Sequence, residues 1–146
     1  MRKSVCLLLA FVTSLSSLAQ FKLVPYPDSL RSENGQFRIT SNFSIAVNTQ
    51  DQVLTQAINR FYQQLNRHTA AYFMQDYIKA GQQGAMRIEA GQSQPLFIGT
   101  DESYKLVVTA TSIDLKSNTT IGAMRGLQTL LQLASKDNGG YYFPAV

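Results

Sequence analysis

Between Gln36 and Val47 apolar and polar positions alternate along the chain. Phe37 and Ile39 stand beside Gln36 and Arg38, and after a polar break Phe43, Ile45 and Val47 alternate with Ser44 and Ala46. This is the period-2 pattern of strands with one buried face, and Asn34-Gly35 marks a turn ahead of them. From Thr49 the period lengthens. Val53, Leu54, Ala57, Ile58, Phe61 and Leu65 recur at helical spacing, which predicts a helix ending near Asn66, with Asn48 or Thr49 as N-cap and Asp51 in the first turn. The next stretch, RHTAAYFMQDYIKAGQQG, reads either as a short second helix or as a loop.

Strand character returns at AMRIEA (85–90), and a GQSQP loop leads into a short LFIG. YKLVVTA (104–110) and SIDLKS (112–117) pair naturally as a hairpin, with Leu106 and Val108 matched by Ile113 and Leu115. Thr119 or Thr120 caps a final helix in which Ile121, Met124, Leu127, Leu130 and Leu131 form an apolar stripe opposite Arg125, Gln128 and Gln132. Ahead of all this, FKLVPYPDSL is an extended segment with a turn, because Pro25 and Pro27 keep their predecessors out of the helical region. The order strands, helix, strands, helix predicts an α+β fold: an antiparallel sheet packed on two helices in a single small domain, not a doubly wound βαβ fold.

The first residues change the reading of the bulk numbers. Arg2 and Lys3, the apolar run VCLLLAFV and the small residues of Ser17-Leu18-Ala19 give residues 1–19 the form of a signal peptide, with the mature chain starting at Gln20. The apolar run is shorter than the roughly 20 residues a membrane span needs. The expectation is therefore an exported protein, periplasmic or extracellular, without a membrane anchor. Of the 13 Lys and Arg, loss of Arg2 and Lys3 leaves 11 against 9 acidic residues, scattered singly, which argues against nucleic acid as a partner. Cys6, the one cysteine, leaves with the signal and lies too early for a lipidation cysteine, so a mature chain of this kind has neither disulfide nor thiol nucleophile.

The remaining chain offers little chemistry. His68 is the single histidine, with no cysteine beside it, and reads as an exposed polar residue just past a helix rather than a zinc ligand or triad member. Asp101-Glu102 is a carboxylate pair of the type glycosidases use, but neighbours on an extended chain point to opposite sides, so the pair reads as a turn. Arg125 could hold a ligand carboxylate, yet its place on the polar side of an amphipathic helix explains it equally. The triplets Asn42-Phe43-Ser44 and Asn118-Thr119-Thr120 permit glycosylation in a host that performs it. No phosphate-binding or nucleophile-elbow motif occurs. No catalytic, cofactor-binding or metal residue is expected in this chain, and no cofactor.

Four stretches nevertheless carry a resemblance. LVPYPDSL after the signal, GQFRIT followed by NFSIAV as a first hairpin, the run DESYKLVVTATSIDLKSNTTIGAMRGLQTLLQL, and GGYYFPAV together resemble the N-terminal non-catalytic domain of bacterial β-N-acetylhexosaminidases, the family 20 glycoside hydrolases. The resemblance covers essentially Gln20 to Val146. It implies a domain over 20–140, with 141–146 as the start of a link into a catalytic (β/α)8 barrel, which at about 250 residues lies outside this chain. It implies further that the full protein removes terminal N-acetylhexosamine residues from glycoconjugates, the substrate's own acetamido group acting as nucleophile. The glycan is then met by the barrel, and none of the family's catalytic residues falls on this sequence. The rival expectation is a free-standing secreted module that binds glycan or protein through Tyr72, Phe73, Tyr77, Tyr141 and Tyr142.

Overall fold

The structure, a computed structural model, describes residues 21–71, 73, 78–80 and 84–146; the stretch 1–19 read as a signal peptide, Tyr72 and Tyr77 lie outside the described residues. The element order is β1 (Gln36–Arg38), β2 (Ile45–Val47), α1 (Gln52–Thr69), β3 (Ile78–Ala80), β4 (Met86–Ala90), β5 (Lys105–Val108), β6 (Ile113–Ser117), α2 (Thr120–Leu133), β7 (Ser135–Asp137) and β8 (Gly140–Pro144). Two sheets result. The larger is ordered β3-β2-β4-β6-β5 and the smaller β1-β8-β7.

The class is α+β with two helices, as the pattern predicts, but the larger sheet is mixed rather than antiparallel. β2 runs parallel to β3 and to β4, and β4 parallel to β6; only β5 and β6 are antiparallel in it. The physical reason is the connections. α1 carries the chain from β2 back to the same end of the sheet, so β3, which follows it, runs the same way as β2. Residues 91–104 and β5 then return the chain once more, leaving β6 parallel to β4. The β5–β6 hairpin forms in the predicted register, Leu106 opposite Leu115 and Val108 opposite Ile113. GQFRIT and NFSIAV are both strands but not a hairpin: β1 pairs with β8 and β2 with β3 and β4. The chain turns between them, Phe43 N–H donating to the Thr40 carbonyl at 3.0 Å, and passes from one sheet to the other.

α1 is capped by Asp51, not Asn48 or Thr49, and continues to Thr69, one turn past Asn66. Asp51 is the better cap because its carboxylate accepts the Leu54 N–H at 3.0 Å. The helix ends on Ala70, whose φ of 51° lets its N–H close onto the Asn66 carbonyl. α2 is capped by Thr119, whose hydroxyl accepts the Gly122 N–H at 3.0 Å. Its buried side is carried by Gly122, Ala123, Gly126, Leu127, Leu130 and Leu133, whereas Ile121, Met124 and Leu131 are only half-buried. The two glycines explain that rotation. A Cβ at Gly126 would collide with the Leu115 side chain, so α2 sits closer to β6 than a side chain allows.

α2 packs against α1 on one side and against β4, β5 and β6 on the other. Between them Ile45, Leu54, Ile58, Leu65, Met86, Ile88, Ile113, Leu115 and Leu130 are closed off from solvent. At one end of this core Phe43 touches the rings of Phe37, Phe61, Tyr62, Phe73 and Phe143 at 5.9–6.5 Å. The opposite face of the larger sheet is charged and paired, with Arg87 to Asp114 at 2.7 Å and Lys116 to Glu89 at 2.8 Å. Residues 141–144, part of the 141–146 stretch read in the sequence as the start of a link, lie in β8, the middle strand of the smaller sheet, with Phe143 fully buried.

Candidate functional site

The ends of β2, β4 and β6, the start of β5 and the first turns of both helices converge at one end of the domain. Open sheets with parallel strands bind ligands at such strand ends, and helix N-termini favour anions there. An open cleft of about 690 Å³ lies at this end, lined by Asn48, Glu89, Ser103, Tyr104, Lys105 and Asn118 among others.

Many of the polar groups at this end of the domain bond one another. Asp51 accepts Leu54 N–H through Oδ1 and Ser93 N–H through Oδ2 at 2.6 Å, while Thr120 Oγ1 stands 3.1 Å from both Asp51 Oδ2 and the Gly91 carbonyl. One carboxylate thus ties α1, the 91–104 loop and α2 together. Burial alone would raise its pKa, but the bonds from Leu54, Ser93 and Thr120 outweigh that and hold it below the ordinary carboxylate value. Asn48 spans from β2 to Ala90 in β4, accepting its N–H at 3.1 Å. Tyr104 shares a hydrogen bond of 2.6 Å with Thr129 of α2.

Asp101 and Glu102 do not address a common point. Asp101 accepts from Ser103 N–H at 2.9 Å and from Asn118 Nδ2 at 3.3 Å, and its carboxyl is held below the ordinary value by the Ser103 hydroxyl first, then by the Ser103 N–H and Asn118, as expected of a turn. Glu102 forms a two-pronged pair with Arg125, Nε to Oε2 at 2.8 Å and the second nitrogen to Oε1 at 3.2 Å, which lowers the carboxyl and raises the guanidinium. The sequence treats these residues as separate candidates; in space they are one surface ion pair. His68 is exposed in the last turn of α1. Asn42 and Asn118 are both exposed, the latter bonded to Asp101. Among the described residues no group of three or more His, Cys, Asp and Glu side chains is placed to share a metal ion, and no helix is long and apolar enough to cross a membrane.

Among the described residues the aromatic candidates Phe73, Tyr141 and Tyr142 each contact a neighbouring side chain. Phe73 stacks edge-on against Tyr62 at 5.2 Å, and Tyr141 and Tyr142 are half-buried beneath Lys136 and Arg38 at 5.2 and 5.4 Å. Two features have no clear signal in the sequence. Gln132 on α2 bonds both main-chain groups of Val24, accepting its N–H at 2.8 Å and donating to its carbonyl at 3.0 Å. Val146 exchanges two main-chain bonds with Val108 at the edge of β5, at 2.9 and 3.2 Å.

In this small α+β domain Arg38 and Asp137, Arg87 and Asp114, Lys116 and Glu89, and Arg125 and Glu102 pair with one another and tie its elements together. The family described as "beta-acetyl hexosaminidase like" matches residues 23–133, and the chain belongs to it. The matched unit is the N-terminal domain of family 20 hexosaminidases. Beta-hexosaminidase subunit A2 of Dictyostelium discoideum is 30% identical over 128 residues, which is 86% of this chain and 23% of that protein. The chitobiase of Flavobacterium johnsoniae superposes with a TM-score of 0.76 at 30% identity, over 83% of this chain and 19% of the enzyme. The N-acetyl-beta-hexosaminidase of Streptomyces plicatus shares the fold, with a TM-score of 0.64 at 21% identity over 83% of this chain and 24% of its own. The chain therefore spans about a fifth to a quarter of the length of these relatives.

Proposed function

We propose that this chain is the supporting N-terminal domain of an exported β-N-acetylhexosaminidase, one that removes terminal N-acetylhexosamine residues from glycoconjugates while catalysis and glycan binding reside in a barrel outside residues 1–146. The observation that carries this reading is the match to the Flavobacterium johnsoniae chitobiase, whose fold this chain follows over 83% of its own length but only 19% of the enzyme's. The cleft at the strand ends supports it, since its lining carboxylate Glu89 pairs with Lys116, and the nearby carboxylates of Asp51 and Glu102 cap a helix and pair with Arg125 rather than standing free for acid–base work. Export rests on residues 1–19, whose basic start, apolar run and small-residue cleavage site fit a signal peptide.

The test is enzymatic. The purified 146-residue chain is expected to release no chromophore from an aryl N-acetyl-β-glucosaminide, whereas the gene product carrying the downstream barrel releases it. Turnover by the short chain alone would overturn the assignment of catalysis to another domain.

A further inference from the structure

β5 is the outermost strand of the larger sheet. In an antiparallel pair, main-chain groups alternate between facing the partner and facing away. Thr109 N–H bonds the Ser112 carbonyl at 2.9 Å, so the positions two and four residues earlier, Val107 and Lys105, face Asp114 and Lys116 of β6. Val108 and Leu106 then turn their N–H and C=O groups outward. Val108 is already satisfied: it donates to Val146 and accepts from it. That reciprocal exchange is the signature of antiparallel pairing, and it fixes a register. In this register the second residue after Val146 stands opposite Leu106. Ala145 is buried and held at both sides, its N–H to Gly35 and its carbonyl to Glu33 at 3.0 Å each, so the direction of the backbone at Val146 is set by the fold.

Leu106 itself packs half-buried against the core and carries no charge to discourage pairing; Lys105 is the one cation of the strand. An edge of this kind is a template for another strand. We propose that the open edge of β5 is completed by an antiparallel strand formed by the polypeptide that follows Val146 in the longer enzyme, with the Leu106 N–H and C=O as its first new bonding pair. This rests on the reading that the domain works within a longer protein. It adds that the passage out of the domain is not a loose tether but part of its sheet, so that the next domain is held in a fixed direction. The occupant is the following segment rather than a second copy because Val146 is already in register on that edge, whereas another chain would have to displace it.

Amide hydrogen exchange at Leu106, with the inward-facing Val107 amide as internal reference, tests this in the 146-residue chain and in the natural gene product translated through the following codons. In the short chain Leu106 is expected to exchange quickly while Val107 is protected, and in the longer product Leu106 slows by at least about tenfold. Fast exchange at Leu106 in a longer product that hydrolyses N-acetyl-β-glucosaminide overturns this inference and leaves the proposed function standing. Protection at Leu106 in a longer product without that activity overturns the proposed function and leaves the strand pairing standing. Protection already present in the short chain and rising with its concentration overturns the choice of occupant in favour of a second copy.

Discussion

Gly122 shows how tightly single residues are constrained. A Cβ there would collide with the Ser103 carbonyl and the Ser117 hydroxyl, groups that themselves bond at 2.8 Å. Alanine favours a helix over glycine by about 1 kcal/mol, but overpacking costs about 1–3 kcal/mol, and the obstacle here includes a backbone atom. Gly122→Ala is therefore expected to lower stability, read as a lower urea midpoint. Asp51→Ala removes a helix cap worth about 1 kcal/mol and also releases Ser93; increased exchange at the Ser93 amide would separate the loop effect from the cap. Acid sensitivity is set by carboxyls of the same kind. Asp137, paired with Arg38 at 2.6 Å, is lowered from 3.8 to about 2. A depressed folded pKa stabilises fully above the unfolded value and is lost as pH falls through the folded one. Asp137→Asn should accordingly flatten the loss of thermal stability between pH 4 and about 2, and an unchanged acid limb would show the pair to be inert.

At the scale of elements, what could be read from the sequence was what is local. α1, α2 and the β5–β6 hairpin declare themselves by period, because each buries a face whose residues lie within one turn or one hairpin of each other. β7 and β8 do not: SKD and GYYFP carry no clean alternation, and β8 finds its second partner, β1, about a hundred residues away in sequence. The direction of pairing was also invisible, since a period-2 pattern says which face is buried but not which way the neighbour runs. The candidate site was legible mainly in the negative. Asp101, Glu102 and Arg125 were visible as residues, while the Glu102–Arg125 pairing depends on how α2 lies beside the loop. Both partners are about half-exposed, so Arg125→Ala is expected to cost less than about 1 kcal/mol in a chemical denaturation curve. Gln132→Ala should act differently. It frees Val24 from α2 while leaving Leu23 its buried contacts, and limited proteolysis should then cut earlier within residues 24–30.

For the whole molecule, the smaller sheet decides whether the domain is complete. β8 lies between β1 and β7, and its continuation bonds Gly35, Glu33 and Val108, so the last seven residues join the N-terminal segment to the edge of the larger sheet. A chain ending at Gly139 loses the partner of β1 and the fully buried Phe143. It is expected to unfold without a sharp thermal transition, whereas the 146-residue chain melts cooperatively.

The pairing of Gln36 with Pro144 also fixes an order of events during synthesis. A ribosome adds residues at about 5–20 per second, and β1 emerges long before β8 exists. Until then Phe37 has no strand beside it, although α1 can already form behind it. The opening strand must therefore wait, solvent-exposed, for the closing one, and a pause in translation just before Gly140 would lengthen the interval in which this domain is vulnerable to proteases and to wrong partners.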